Sequence, residues 1–307
     1  MNRRVSREQV REALTGPVTS VKIPFQRDGS IDFAGLRTYI EFVLAAGSRA
    51  LILTFGDSLC SVLSDREVEE VTRATVEDAA GRALVVAGDR MWATPQAVAF
   101  ARYAREAGAH LVMPLPPTWA NSPTPQTFVE HYARVAEEMP VMLVTAALAT
   151  YPMPARLEVV ERTRDEVEGV MAIKDDVTGS FARRMSLLVH DRWAVISGGL
   201  KENHLSHLPY GCDGYFSTFM KFRPEVAHAY WRAVQSQDWA TVRRIIGELE
   251  MPWFDLITGL PGGFDAGIHG TLELFGICGR WRRMPYHTLS DAEMEPLKAF
   301  YQKRGWL

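Results

Sequence analysis

Residues 169–176 read GVMAIKDD, an apolar run that ends in a lysine followed by two aspartates. Valine, methionine, alanine and isoleucine in succession suit a parallel strand buried on both faces. An amine at the tip of such a strand is costly to bury unless it is paired or used. A lysine with its ordinary pKa of about 10.4 is mostly protonated at neutral pH, and partial burial lowers that value and frees the nitrogen as a nucleophile. A neutral Lys174 attacking a carbonyl would give a Schiff base, which makes the adjacent carbon an electron sink for aldol cleavage or dehydration. A second reading stays open on the residues alone: Lys174 forms a structural ion pair with Asp175 or Asp176 at a strand end.

Eight apolar runs of strand length recur along the chain, at 17–25, 49–54, 83–88, 110–114, 140–145, 169–174, 192–197 and 213–218. Helical patterns lie between them. Phe33, Leu36, Ile40 and Val43 share one face behind a cap at Asp32. Ser64 and Glu67 form a capping-box pattern, and Thr94-Pro95 and Thr124-Pro125 read as a cap followed by proline in the first turn. Strands alternating with helices at this repeat predict a (β/α)8 barrel of the α/β class. The rival, a doubly wound sheet, usually brings a glycine-rich first turn, and the turn after the first run here is QRDGS. Beyond about Arg223 only helical patterns follow, the last starting at the capping box Ser290–Glu293. The expected organisation is an N-terminal helix over 1–16, a barrel over 17–235 and a helical extension over 236–307. The glycine-rich GLPGGFDAG at 259–267 reads as an interhelical loop, because it follows no strand and lacks the Lys-Ser/Thr of a phosphate loop.

On a barrel strand alternate side chains face inward. If Lys174 faces the lumen, so do Ala172 and Val170, while Ile173 and Met171 face the helices. The C-terminal strand ends are where active sites assemble in this architecture, so Lys174 stands on the expected face. Lys22 reads as lying inside the first strand.

The chain has 307 residues, 47% of them hydrophobic and 23% charged, with a net charge of −3. No basic surface advertises nucleic acid or an anionic membrane. The arginine-bearing N-terminus has no apolar run behind it, and the longest uncharged stretch is broken by prolines, so neither a secretory signal nor a membrane span is expected. The three cysteines, Cys60, Cys212 and Cys278, lack metal spacing and fit reduced thiols in a soluble cytoplasmic protein. His204 and His207 sit about one helical turn apart with one carboxylate nearby and no third histidine, too few ligands for a metal site. His269 reads as a loop residue.

Several segments together resemble the dihydrodipicolinate synthase and N-acetylneuraminate lyase family of Schiff-base aldolases. VKIPF resembles the T-P-F of the opening strand, and ILTFGDSLCSVLSDREVEEV resembles G-T-T-G-E followed by L-(S/T)-x-x-E. GVMAIKDDVTGS is similar to the strand that carries the Schiff-base lysine. VISGGLKENHLSHLPYGCDGYFS resembles S-G-x-D…G-x-x-G-x-(I/F)-S, and GICGRWRRMPYHTLS the ending G-x-x-x-x-x-x-R-x-P…L-S. The resemblance runs nearly end to end and identifies the chain as a divergent member. It implies a (β/α)8 barrel with a helical C-terminal extension, Lys174 as the nucleophile and Thr54 as part of a proton relay. It further implies a substrate pocket that includes Phe55, Gly56, Asp57, Val144, Thr145, Tyr151, Gly198 and Gly199. No cofactor is implied, because the lysine is itself the electron sink, and the implied assembly is a homotetramer or homodimer.

The departures from the family's pattern narrow the expectation. Phe55 replaces the threonine that helps hold a keto-acid carboxylate. Val144 and Pro116 stand where the two relay tyrosines stand, and Ala149 or a neighbour stands where an arginine binds a distal carboxylate. The expected activity is a lyase, aldolase or dehydratase, acting on a 2-oxo acid or related carbonyl compound, and not dihydrodipicolinate synthase itself. Proton handling would fall to a water held by Thr54 and Thr145, to the Tyr151 phenol, or to Asp57 or Asp175. Trp119 and Phe55 point to a less polar pocket than the family's. The alternative is a binding or regulatory homologue that keeps the barrel without efficient catalysis.

Overall fold

The computed structural model describes residues 5–307. Its eight parallel strands close into one barrel in sequence order: β1 (Gly16–Ser20), β2 (Ala50–Ile52), β3 (Leu84–Gly88), β4 (Leu111–Met113), β5 (Val141–Val144), β6 (Val170–Asp175), β7 (Ala194–Ser197) and β8 (Gly214–Phe216). The helices that alternate with them are α1 (Arg7–Leu14), α2 (Phe33–Ala45), α3 (Asp65–Ala79), α4 (Thr94–Ala107), α5 (Pro125–Ala136), α6 (Met153–Glu166), α7 (Gly179–Val189) and α8 (Lys201–His207). The fold is the (β/α)8 barrel that the repeat predicts. Helices α9 (Pro224–Gln235), α10 (Trp239–Arg244), α11 (Met251–Gly259), α12 (Gly263–Leu274) and α13 (Asp291–Lys303) complete the chain, with a π-helical turn at Ile245–Glu250 joining α10 to α11. Contacts divide the chain into two compact units, one taking the chain up to Ser20 and again Ser48–Ser217, the other Val21–Gly47 and Thr218–Leu307.

In the first unit, one buried cluster collects every second residue of the strands: Val18, Ala50 and Ile52, Leu84 and Val86, Leu111 and Met113, Met142 and Val144, Ala172, and Ala194 and Ile196. That is the inward set of a closed barrel, filled by branched, small and methionine side chains rather than left as a pore. Val10 and Leu14 of α1 join the same cluster and are fully buried, so the short N-terminal helix closes the barrel beneath its strands. Ser6 caps α1 with a reciprocal Ser6–Gln9 pair, which fixes where the helix starts. At Gly214 of β8, a Cβ would lie 2.0 Å from the Leu14 carbonyl oxygen, so only glycine lets β8 approach the end of α1.

The alternation of β6 carries one correction. The register between β5 and β6 shifts at Val141/Met142, pairing Val141 with Val170 but Met142 with Ala172. The extra residue is a bulge, which reverses the facing of the residues before it. Met171, not Val170, therefore packs against the interior cluster, while Ala172 and Lys174 keep the inward facing.

The second unit explains three further differences. β1 ends at Ser20, so Lys22 lies beyond the strand, and its amine is fully buried against Asp265 Oδ1 at 2.9 Å. The glycine-rich segment is mostly helix: from Gly263 it forms α12, which buries His269 completely. Glycines of this helix serve close packing, since a Cβ on Gly267 would meet Ile257 at 2.8 Å and one on Gly270 would meet Met294 at 2.8 Å. In α2 the Asp32 cap accepts from the Gly35 amide, but Phe33 is exposed and Tyr39 takes its place on the buried face. The core of this unit is aromatic: Trp253 donates to the Tyr301 hydroxyl at 2.8 Å, and Phe222 and Phe275 pack against the Tyr301 ring.

The Ser64–Glu67, Thr124 and Ser290–Glu293 caps form as their sequences predict. Helix α4 starts one residue early, at a cap on Ala93, and Thr94 instead pairs its hydroxyl with His131 at 3.0 Å. Removing the α1 plug tests how much the barrel relies on it. Leu14→Ala should lower unfolding free energy by about 2–5 kcal/mol, the usual cost of emptying a buried leucine site, read as a fall in the urea midpoint.

Candidate functional site

Lys174 continues the inward set from Ala172 and is the fifth residue of the six in β6. Its side chain is 11% exposed, at the C-terminal end of the strand. The neighbouring positions are Val144 on β5 and Ile196 on β7, both apolar, so the amine finds no hydrogen-bonding partner across the ladder. Its contacts among the described residues are an ion pair with Asp176 and the face of Phe216, whose ring centre is 4.9 Å from Nζ. A cation over an aromatic face is attracted by the ring quadrupole, so Phe216 both covers the amine and holds it.

Asp176 is set by its backbone. Thr145 Oγ1 accepts the Asp176 amide at 2.7 Å and the Val177 amide at 3.3 Å, while donating to Asp175 Oδ1 at 2.9 Å. Asp175 also accepts the Val177 and Thr178 amides, at 3.2 and 3.0 Å. Burial pushes the Asp175 carboxyl up, and those hydrogen bonds from Thr145, Thr178 and Val177 oppose the rise. Asp175 thus faces away from the lumen, tying down the loop after β6. The Thr145 hydroxyl, with its proton and both lone pairs engaged, is a positioning group with no capacity left to hold a water.

Gly198, just beyond β7, completes the arrangement: a Cβ there would lie 2.1 Å from Asp176 Oδ1 and 2.6 Å from the Asp175 carbonyl oxygen. Its amide donates to that carbonyl at 2.6 Å. Gly199 adopts a positive φ of 78° and a Cβ there would strike Asn203 Nδ2, so the turn into α8 also requires glycine.

The segment after β2 forms a compact turn. The Thr54 amide donates to Ser58 Oγ at 3.0 Å and Thr54 Oγ1 accepts the Ser58 amide at 3.3 Å, a reciprocal pair that fixes the Thr54 hydroxyl in place. Asp57 accepts from Ser20 Oγ at 2.5 Å, linking the ends of β1 and β2. Phe55 is half-buried and Gly56 is exposed in this turn. Tyr151 is buried, with its ring edge-on to Phe128 of α5 at 5.4 Å and its hydroxyl without a partner. The phenol is thus packed on the helical layer, and burial pushes its pKa up. Trp119 is 88% exposed and forms no wall. The His204 ring packs at a tilt against Tyr215 at 4.9 Å and His207 Nε2 meets Ser186 Oγ, both buried and both pushed down by burial, to about 3 and about 4. Among the described residues, no three His, Cys, Asp or Glu side chains converge as a metal site, and no helix is long and apolar enough to cross a membrane.

Of the two groups on the amine, the sequence offers no sign of Phe216, whereas Asp176 is one of the two ion-pair partners it proposes. Phe216 lies on β8, far along the chain, and no spacing connects it to Lys174. Asp176 does carry a signal: two residues past Lys174, it falls on the same side of the backbone.

The model of the dihydrodipicolinate synthetase family matches residues 13–304. The chain belongs to that family. It is 30% identical to the 4-hydroxy-tetrahydrodipicolinate synthase of Azoarcus sp. (strain BH72) over 246 residues, covering 77% of this chain and 80% of that protein. It is 29% identical to "Probable 5-dehydro-4-deoxyglucarate dehydratase 2" of Streptomyces avermitilis over 258 residues, 82% of this chain and 74% of that one. The dihydrodipicolinate synthase structure from Bacteroides thetaiotaomicron superposes with a TM-score of 0.81 at 22% identity, over 94% of this chain and 98% of the other, which places the fold. Membership in the dihydrodipicolinate synthetase family makes the chain one of a lyase family that includes both synthases and a dehydratase.

At the end of β3, Asp89 is a counterpart of Asp175. Its Oδ1 accepts the Met91 and Leu115 amides at 3.1 and 3.0 Å, and its Oδ2 is buried without a partner. Burial pushes its carboxyl up to about 7 against the pull of those two amides. The folded chain therefore holds a proton here between about pH 4 and 7 that the unfolded chain releases, and this group's stabilisation falls as pH rises through that window. Asp89→Asn keeps the Oδ1 acceptor and removes the titration. Its stability relative to the natural chain should rise from pH 4 to pH 7 and then level off, as read from urea midpoints; a constant difference would refute the assignment.

Proposed function

We propose that this protein is a lyase that forms a Schiff base between Lys174 and a 2-oxo acid or related carbonyl substrate, and that it is not 4-hydroxy-tetrahydrodipicolinate synthase itself. The observation that carries the reading is the setting of the amine. Lys174 faces the lumen at the C-terminal end of β6, with apolar Val144 and Ile196 beside it and Phe216 over it. A structural ion pair alone gives no reason to aim a lysine into a barrel at the end where catalytic groups gather. The reaction needs no bound cofactor, because the protonated Schiff base withdraws electrons from the neighbouring carbon.

The narrowing away from the synthase rests on Val144 and Pro116. Neither can exchange a proton, and losing a general acid–base group commonly costs about 10²–10⁴-fold. A substrate that handles its own protons, or a dehydration in place of a carbon–carbon step, suits this pocket better. The relatives' names include both reaction types, so the aldolase-or-dehydratase class is supported while the substrate is open to assay.

Incubation with pyruvate and other 2-oxo acids followed by borohydride should fix an adduct on Lys174, located by mass spectrometry, and Lys174→Ala should abolish it. An adduct on another lysine that survives Lys174→Ala would refute the nucleophile. No adduct and no turnover across the panel would favour the binding homologue. In parallel, pyruvate with (S)-aspartate semialdehyde should turn over well below the usual enzymatic range of about 1–10³ s⁻¹; turnover inside that range would refute the narrowing.

A further inference from the structure

The family's phenols are absent, yet Schiff-base formation must move protons at the nitrogen and at the departing oxygen. Thr145 is fully engaged by Asp175, Asp176 and Val177, Asp175 is turned to the loop, and Tyr151 is packed on Phe128. Thr54 Oγ1 accepts from the Ser58 amide. Among the described residues, one proton-exchanging group touches the Lys174 nitrogen, and it is Asp176. Its carboxylate is 28% exposed, so it meets both the amine and the solvent-facing end of the lumen. The geometry around it is specific: Thr145 holds its backbone amide, and Gly198 leaves the space that its Oδ1 fills.

Resting on the Schiff-base reading of Lys174, we propose that Asp176 is the general acid–base of this site, in place of a relay phenol. The Asp176 carboxylate takes one proton from the Lys174 ammonium and frees the nitrogen lone pair. That pair forms the C–N bond, and the carbonyl π pair moves to oxygen, which takes the proton from Asp176. The nitrogen, now positive and bearing two hydrogens, gives one to Asp176, which passes it to the hydroxyl. The C–O bond breaks, water leaves with the bonding pair, and the nitrogen lone pair closes the C=N bond. Three ammonium hydrogens become two on water and one on the imine, and Asp176 ends as the carboxylate it began.

The substrate class follows from the same contact. A carboxylate already paired with the amine adds negative charge where the attacked carbonyl must sit, which disfavours a second anionic group close to that carbon. Phe55 in place of the carboxylate-holding threonine acts in the same direction. Within the carbonyl substrates proposed above, the site therefore favours one whose charge, if any, lies away from the reacting carbon over a 2-oxo acid, which still reacts but more slowly.

The test is the rate of adduct formation, measured by rapid mixing with pyruvate and a borohydride quench, and repeated with benzaldehyde as an uncharged carbonyl probe. Asp176→Asn should slow labelling of Lys174 by at least about 10²-fold with either probe, and in Asp176→Ser, whose shorter side chain leaves room, added formate should restore part of the rate. Asp176→Ser, another short side chain beside Gly198, serves if Asp176→Asn folds poorly, as judged by thermal midpoint. In the natural chain benzaldehyde should label Lys174 faster than pyruvate. Labelling at the natural rate in the Asp176 variants, or a slow Asp176→Ser that formate does not speed, overturns the general acid–base role. Pyruvate labelling faster than benzaldehyde overturns the substrate class. An unlabelled Lys174 in the natural chain overturns the underlying Schiff-base reading instead, and the role of Asp176 with it.

Discussion

Closing parallel strands into a barrel forces every second side chain into one shared lumen, and the rest of this structure is arranged around that constraint. Below, the lumen is filled by branched residues and sealed by Val10 and Leu14 of α1. Above, the same alternation delivers Lys174 among apolar neighbours and puts Asp176 back on its side of the backbone. The outward positions at the strand ends do different work. Asp175 and Asp89 use buried carboxylates to gather loop amides, so that the turns carrying the site are fixed by hydrogen bonds rather than by packing alone.

The site achieves placement through small residues as much as through polar ones. Gly198 makes space for the Asp176 carboxylate, and Gly214 lets β8 approach the end of α1. Thr145 spends its whole hydrogen-bonding capacity on the loop that holds Asp175 and Asp176. A hydroxyl on the active face thus becomes scaffold, and the proton chemistry we propose passes to a carboxylate that the scaffold presents. In that proposal, a carboxylate in place of a phenol changes the charge beside the amine, and with it what the pocket accepts as well as how it moves protons.

Much of the fold was legible before any coordinates. The capping boxes at Ser64 and Ser290 mark helix starts because their reciprocal hydrogen bonds are local, closed within four residues. The eight apolar runs mark strands because both faces of a parallel strand are buried. The errors fall where local pattern met tertiary contact. A glycine-rich segment reads as a loop from composition, yet its Gly267 lets α12 press against Ile257. Thr94 has the residue type of a cap, but His131 from the next helix takes its hydroxyl.

By itself the sequence determined that the chain is a barrel and that one strand ends in Lys174, because hydrophobic periodicity and residue type are properties of consecutive positions. The resemblance implies further that Val144 and Pro116 stand where the family has phenols. Only the tertiary structure decided which groups surround the amine. Phe216 lies two strands further along the chain, Gly198 acts by lacking a side chain, and the bulge at Met171 resets the facing of the strand. Each of these depends on how distant segments meet across the closed sheet, and a one-residue change of register there reverses which side chain faces the lumen.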